Sequence, residues 1–103
     1  MTTIGNWTFG HNQLSSVTIP DSVTSIGVRA FASNQLTTVI IGNNVTIDSD
    51  AFASNLLISV TIGSVVNINS DPNTMGTNTG FKTVYDGEGA GIYNYTGGIW
   101  VKE

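Results

Sequence analysis

One block of residues recurs down most of this 103-residue chain. Ile4, Ile26, Ile47 and Ile68 open successive units, 22, 21 and 21 residues apart. Phe9, Phe31 and Phe52 follow five residues after the first three openings, and Asn12, Asn34 and Asn55 come three later. Leu14, Leu36 and Leu57, then Val17, Val39 and Val60, then Ile19, Ile41 and Ile62 complete the register. A fixed period of this length marks a solenoid, with one unit per turn of chain. A single unit has too few apolar side chains to offset the entropy of ordering its backbone. Stacking supplies what it lacks, a continuous interior and a strand ladder shared between neighbours.

Within the second unit, Leu36 to Ile41 has an L-x-x-L-x-L-like shape, the mark of a short strand with alternate residues turned inward. Val39 and Ile41 are expected inside, Thr38 and Ile40 outside. Gly42-Asn43-Asn44 reads as a turn, because Gly and Asn tolerate turn backbone angles. Val45 and Ile47 mark a second extended side. Arg29 to Ser33 is too short for a stable helix, and a single helical or 3₁₀ turn is expected to carry Phe31 into the core.

The expected organisation is one structural unit: a solenoid over residues 4–81, with coils at 4–25, 26–46, 47–67 and 68–81, then a β-hairpin cap at 82–103. In the irregular fourth coil, residues 70–80 read as a loop rich in turn formers, with Met75 standing for the buried Phe and Phe81 for the Leu. From Lys82 the period is lost. Thr83–Tyr85, Ile92–Tyr95 and Ile99–Val101 read as short strands joined by Gly-rich turns, with Tyr85, Tyr93, Tyr95 and Trp100 expected to cover the last coil.

Composition excludes several functions. Only 10% of residues are charged, and the net charge is −4. The three basic residues, Arg29, Lys82 and Lys102, form no stripe for phosphates, which disfavours a nucleic-acid partner. No apolar run is long enough to read as a membrane span. Cysteine is absent, so nothing about redox compartment can be read from disulfides. No leader follows Met1, and the chain begins almost inside a repeat. The expectation is that Met1 is an added start and that the natural protein extends upstream. An uncapped coil at Ile4 to Phe9 would expose apolar groups and strand edges, so self-association through the N-terminal end is expected.

The residues hold little chemistry. His11, the one histidine, falls on a loop with no nucleophile beside it in sequence. Asp48 and Asp50, like Asp86 and Glu88, supply two carboxylates where calcium needs six to eight oxygens. Gly87 to Gly91 lacks the Lys and the following helix of a phosphate-binding loop. Asn6, Asn44 and Asn94 open glycosylation sequons, which matter only in a secreted eukaryotic protein. No catalytic residues, metal site or cofactor are expected. Asn12, Asn34 and Asn55 read as a structural ladder satisfying turn backbone groups, and Trp7 as surface cover for the end of the stack.

The run Leu14 to Gly27, the unit Leu36 to Ile47, and the pairs Ala30-Phe31 and Ala51-Phe52 resemble the BspA-type leucine-rich repeat of bacterial and protist surface proteins. Where Asn44 stands, Ser22 and Ser64 are read as the equivalents in the neighbouring coils, a departure from the commonest leucine-rich repeat. The resemblance implies a leucine-rich repeat solenoid, mainly β and irregular. It also implies a non-enzymatic module at the cell surface or secreted, often linked to adhesion, with a protein or glycan partner. The outward strand positions Ser16, Thr18, Thr38, Ile40, Ser59 and Thr61, extended to Thr83 and Tyr85, are the candidate binding face. A structural stalk with the binding site elsewhere is the alternative. An ice-binding Thr array is a third class, interrupted by Ile40.

Overall fold

A computed structural model describes residues 2–69, 74–75 and 81–103. Most of the loop expected at 70–80 lies outside the described residues. The chain winds into about three turns with strands on two sides. On one side β1 (Thr2–Ile4), β3 (Val23–Ile26), β5 (Thr46–Ile47) and β7 (Asn67–Ile68) form a parallel sheet in that order. On the other, β2 (Ser16–Ile19), β4 (Thr38–Ile41) and β6 (Ser59–Ile62) pair in parallel. Equivalent residues meet across each ladder: Val17 with Val39 and Val39 with Val60. This register follows from the period, because each turn of chain returns the same residue type to the same height.

The inward residues make one core. Leu36, Val39, Ile41, Val45, Ile47, Leu57, Val60 and Ile62 are buried in it. Phe9, Phe31 and Phe52 stack in a column, with ring centroids 5.2 and 5.3 Å apart. Met75 continues the position. Phe52 N–H donates to the carbonyl of Thr74, just as Phe31 N–H donates to that of Ala51, one residue before the next ring.

Arg29 to Ser33 does not form the expected helical turn. It makes tight turns, with Ala30 N–H bonded to Gly27 and Ala32 N–H to Arg29, and Arg29 sits at φ 55°. Trp7 and Asp50 take the same left-handed conformation at the same height, as do His11, Ser33 and Ser54. Asn44 (φ 58°) is matched by Val65 (φ 58°), which corrects the reading that placed Ser64 there.

Stacking also explains a glycine. A Cβ on Gly63 would lie 2.7 Å from the carbonyl oxygen of Gly42 in the coil before it. The first coil carries Pro20 at this height.

The C-terminal segment departs from expectation. Phe81–Glu88 is an α-helix, α1, in place of a strand at Thr83–Tyr85. Phe81, Val84 and Tyr85 share the i, i+3, i+4 spacing of one helix face, and Lys82 and Asp86 pair at 2.6 Å one turn apart. Gly89, at φ 76°, ends the helix by donating its N–H to the Tyr85 carbonyl. The hairpin that follows, β8 (Gly91–Thr96) and β9 (Ile99–Lys102), turns back onto the stack. β8 pairs antiparallel with β6, so the second sheet has five strands in the order β2-β4-β6-β8-β9. The edges of Tyr93 and Trp100 meet Phe81 with centroids 5.1 Å away, and these rings close the last coil with Tyr85.

Candidate functional site

Strand alternation that buries Val39, Ile41, Val60 and Ile62 turns their neighbours to the outside of the five-stranded sheet. Register then assembles two rows. Ser16, Thr38, Ser59 and Asn94 form one; Thr18, Ile40, Thr61 and Ile92 form the other. With strands about 4.8 Å apart, each row runs roughly 14 Å. Ser16, Thr18, Ile40 and Ile92 are exposed, and Thr38, Ser59, Thr61 and Asn94 are half-buried among their neighbours. Val101, opposite Asn94 on β9, extends the apolar part. Neither row contains a charged residue, and the first acid met is Glu103, which accepts from the Asn94 side-chain amide at 2.6 Å.

Six of the eight face residues expected from sequence therefore lie together: Ser16, Thr18, Thr38, Ile40, Ser59 and Thr61. The other two do not. Tyr85 lies on α1 and is buried, and its hydroxyl donates to the Gly63 carbonyl at 2.6 Å while accepting from Val66 N–H at 3.3 Å. Its ring braces the last coil and is closed to a partner. Thr83 belongs to the same helix and so also leaves the sheet. Their places are taken by Ile92 and Asn94, with Val101 beyond. The period could not reveal these residues, because they reach the sheet by an antiparallel return after it has ended. The alternation of Ile92, Asn94 and Thr96 with Tyr93 and Tyr95 was the available signal.

Several polar and charged side chains elsewhere on the surface are tied up in local contacts. Trp7 stacks on His11 at 5.1 Å and carries the Arg29 guanidinium 5.5 Å from its ring centroid, and Arg29 pairs with Asp50 at 3.5 Å. Asp48 accepts from Ser49 N–H. Asn34 and Asn55 bind backbone on their own coil and on the coil before. Among the described residues Asn12 reaches only the Gly10 carbonyl. Among the described residues no three His, Asp or Glu side chains converge on a point where a metal could sit. Burial, then the charge of Glu88, raises the Tyr93 hydroxyl above its ordinary pKa. That group lies inside the cap, away from the face.

A family model described as a BspA type leucine rich repeat region, with six copies, matches residues 1–75. The chain belongs to the BspA-type leucine-rich repeat family. No curated protein and no solved structure matches it. The BspA-type match ends where the period decays, so α1 and the hairpin lie beyond it. Membership fits a protein-interaction module on a fold that is generally non-catalytic. No helix among the described residues is long and apolar enough to cross a membrane.

Proposed function

We propose that this BspA-type chain is a non-catalytic, protein-binding adhesion module of a cell-surface or secreted protein. Its partner docks on the outer face of the five-stranded sheet. The observation that carries this reading is the pair of uncharged rows with Ile40 and Ile92 exposed among hydroxyls. Core packing makes no use of these two side chains, and a charged residue would serve as well for solubility. Interface centres are depleted of charge and rich in apolar contact. The rings that the hairpin brings to this sheet, Tyr93 and Trp100, are turned into the cap, so no exposed ring stands in either row to stack on a sugar. That favours a protein over a glycan.

The test is an array printed with extracellular proteins and with glycans, probed by the wild-type chain. A Thr18→Lys/Thr38→Lys/Thr61→Lys variant puts charge across the face, and Thr46→Lys/Asn67→Lys charges the opposite sheet as a control. Capture of a protein by wild type and control, lost in the face variant, supports the proposal. Capture of glycans alone rejects a protein partner. Capture unchanged in the face variant rejects the face, and no capture at all favours the spacer reading.

A further inference from the structure

We infer, on the reading that the outer sheet face binds a protein, that the partner presents a segment combining apolar side chains with Lys or Arg to the hairpin half of that face. Exposed large apolar side chains gather in this half. Ile40 lies on β4, Leu56 and Ile58 lead into β6, Ile92 lies on β8, and Ile99 and Val101 lie on β9. β2, at the far edge, contributes Ser16 and Thr18 to the two rows. The repeat sharpens the contrast. Leu56 stands where the first two coils have Gln13 and Gln35, and Ile58 where they have Ser15 and Thr37. Leu56 is 57% exposed and Ile58 48%, so neither apolar replacement joins the core.

Strand pairing joins these residues into one surface. Tyr95 N–H donates to the Ile58 carbonyl at 2.9 Å, which lays the hairpin along the third coil. Thr61 faces Ile92 on β8, and Asn94 on β8 faces Val101 on β9. Phe81 meets Tyr93 and Trp100, the inward residues of the hairpin, so α1 packs on the side away from Ile92 and Val101. Alternation along β9 turns Ile99, Val101 and then Glu103 outward. Glu103 extends the ladder by donating its N–H to the Ile92 carbonyl at 2.8 Å, and its carboxylate accepts from Asn94 on the outer side.

Charge is graded along this surface. β2, β4, β6 and β9 run the same way, because β8 reverses on β6 and β9 reverses again. Asp21 and Glu103 therefore follow their strands at one end of the sheet. The opposite end, at 12–15, 33–37, 54–58 and 96–98, carries no charged residue. The cations are engaged elsewhere: Arg29 with Asp50, Lys82 with Asp86, and Lys102 Nζ with the Glu88 carbonyl. Among the described residues Glu103 forms no ion pair. An acid so placed at the edge of an apolar surface is complementary to Lys or Arg. Apolar side chains of the same segment are complementary to Ile92, Ile99 and Val101.

A library of short random peptides displayed on phage, selected on the immobilised whole chain, tests it. Peptides enriched over bait-free beads should join apolar residues to Lys or Arg. Selection on Glu103→Lys should exchange those cations for Asp and Glu, a gain that a misfolded variant cannot mimic. A peptide selected on the wild type should bind Glu103→Gln roughly threefold more weakly, as for one exposed ion pair. It should bind Val101→Ser roughly fivefold more weakly, and Thr46→Lys/Asn67→Lys as well as the wild type. Peptides without Lys or Arg, no exchange on Glu103→Lys, or binding unmoved by Val101→Ser would overturn the inference. The face itself would still stand if Thr18→Lys/Thr38→Lys/Thr61→Lys released those peptides, and would fall with the inference if that variant held them as tightly. No enrichment over bait-free beads would also overturn the inference, with the protein array left to decide the face.

Discussion

Asn55 donates its side-chain amide to the carbonyl of Phe31, 2.8 Å away on the coil before it. The same amide donates to Phe52 at 3.0 Å, and its oxygen accepts from Leu36 N–H at 3.0 Å. One buried side chain thus ties two coils at a point where strand pairing does not reach.

Asn55→Ala would take away the side-chain partners of the Phe52 carbonyl and the Leu36 N–H inside the core, while the Phe31 carbonyl keeps the Asn34 amide at 2.9 Å. At about 1–3 kcal/mol for such a defect, it should destabilise the chain by roughly 2–4 kcal/mol. Asn12→Ala, at the same height in the first coil, should change stability by less than about 0.5 kcal/mol, because it bonds only Gly10 nearby. Urea unfolding of the two variants checks the contrast.

The phenylalanine column should show the same gradient. Phe52 is fully buried, so Phe52→Ala should cost about 3–5 kcal/mol. Phe9 is 41% exposed and has a ring on one side only, so Phe9→Ala should cost about 1–2 kcal/mol. Equal losses in thermal unfolding would contradict the column.

These two ladders were readable in the chain because each member recurs at a fixed height. Repetition turns a weak local signal into a statement about neighbours in space. Where repetition stops, local preference misled. Thr83-Val84-Tyr85 is β-branched and aromatic, which favours a strand. The wider spacing of Phe81, Val84 and Tyr85, with Lys82 and Asp86 one turn apart, selects α1 instead. The outer sheet face was legible only in part for the same reason. Ser16 to Thr61 follow from the period, whereas Ile92, Asn94 and Val101 depend on a long-range reversal of β8 onto β6. The left-handed backbone at Trp7, Arg29 and Asp50 had no signal in residue identity, since three unlike side chains share it.

Val65 holds a β-branched side chain at φ 58°, and it is 68% exposed. Nothing in the core depends on it, and Asn44 serves at the equivalent place. Left-handed backbone costs a bulky L-residue about 1–2 kcal/mol, and Asn is better tolerated. Val65→Asn should therefore raise stability by about 1 kcal/mol in a urea titration. A loss would mean that Val65 packs in a way its exposure does not reveal.

Alkaline pH should weaken the cap. Burial, and then the charge of Glu88, raises the Tyr93 pKa in the folded chain. The unfolded chain ionises at the ordinary value, about 10. The contribution from neutral Tyr93 is fully present below that pH and is lost as pH climbs through the raised value. Thermal unfolding should show a flat contribution from this group at neutral pH and a decline above about 10, smaller in Tyr93→Phe. A Tyr93→Phe chain with the same alkaline decline would assign it to other groups.

The claim that the outer sheet face binds a partner is tested most directly by site-specific quenching. The chain has no cysteine, so Thr38→Cys and Thr46→Cys each give one labelling site, on opposite sheets. Each is labelled with a fluorophore and mixed with the protein that the wild-type chain captures most strongly from the array. Iodide quenching should fall at the Thr38 label on binding and stay unchanged at the Thr46 label. Protection at Thr46 with Thr38 still open to iodide would place the partner elsewhere and contradict the account.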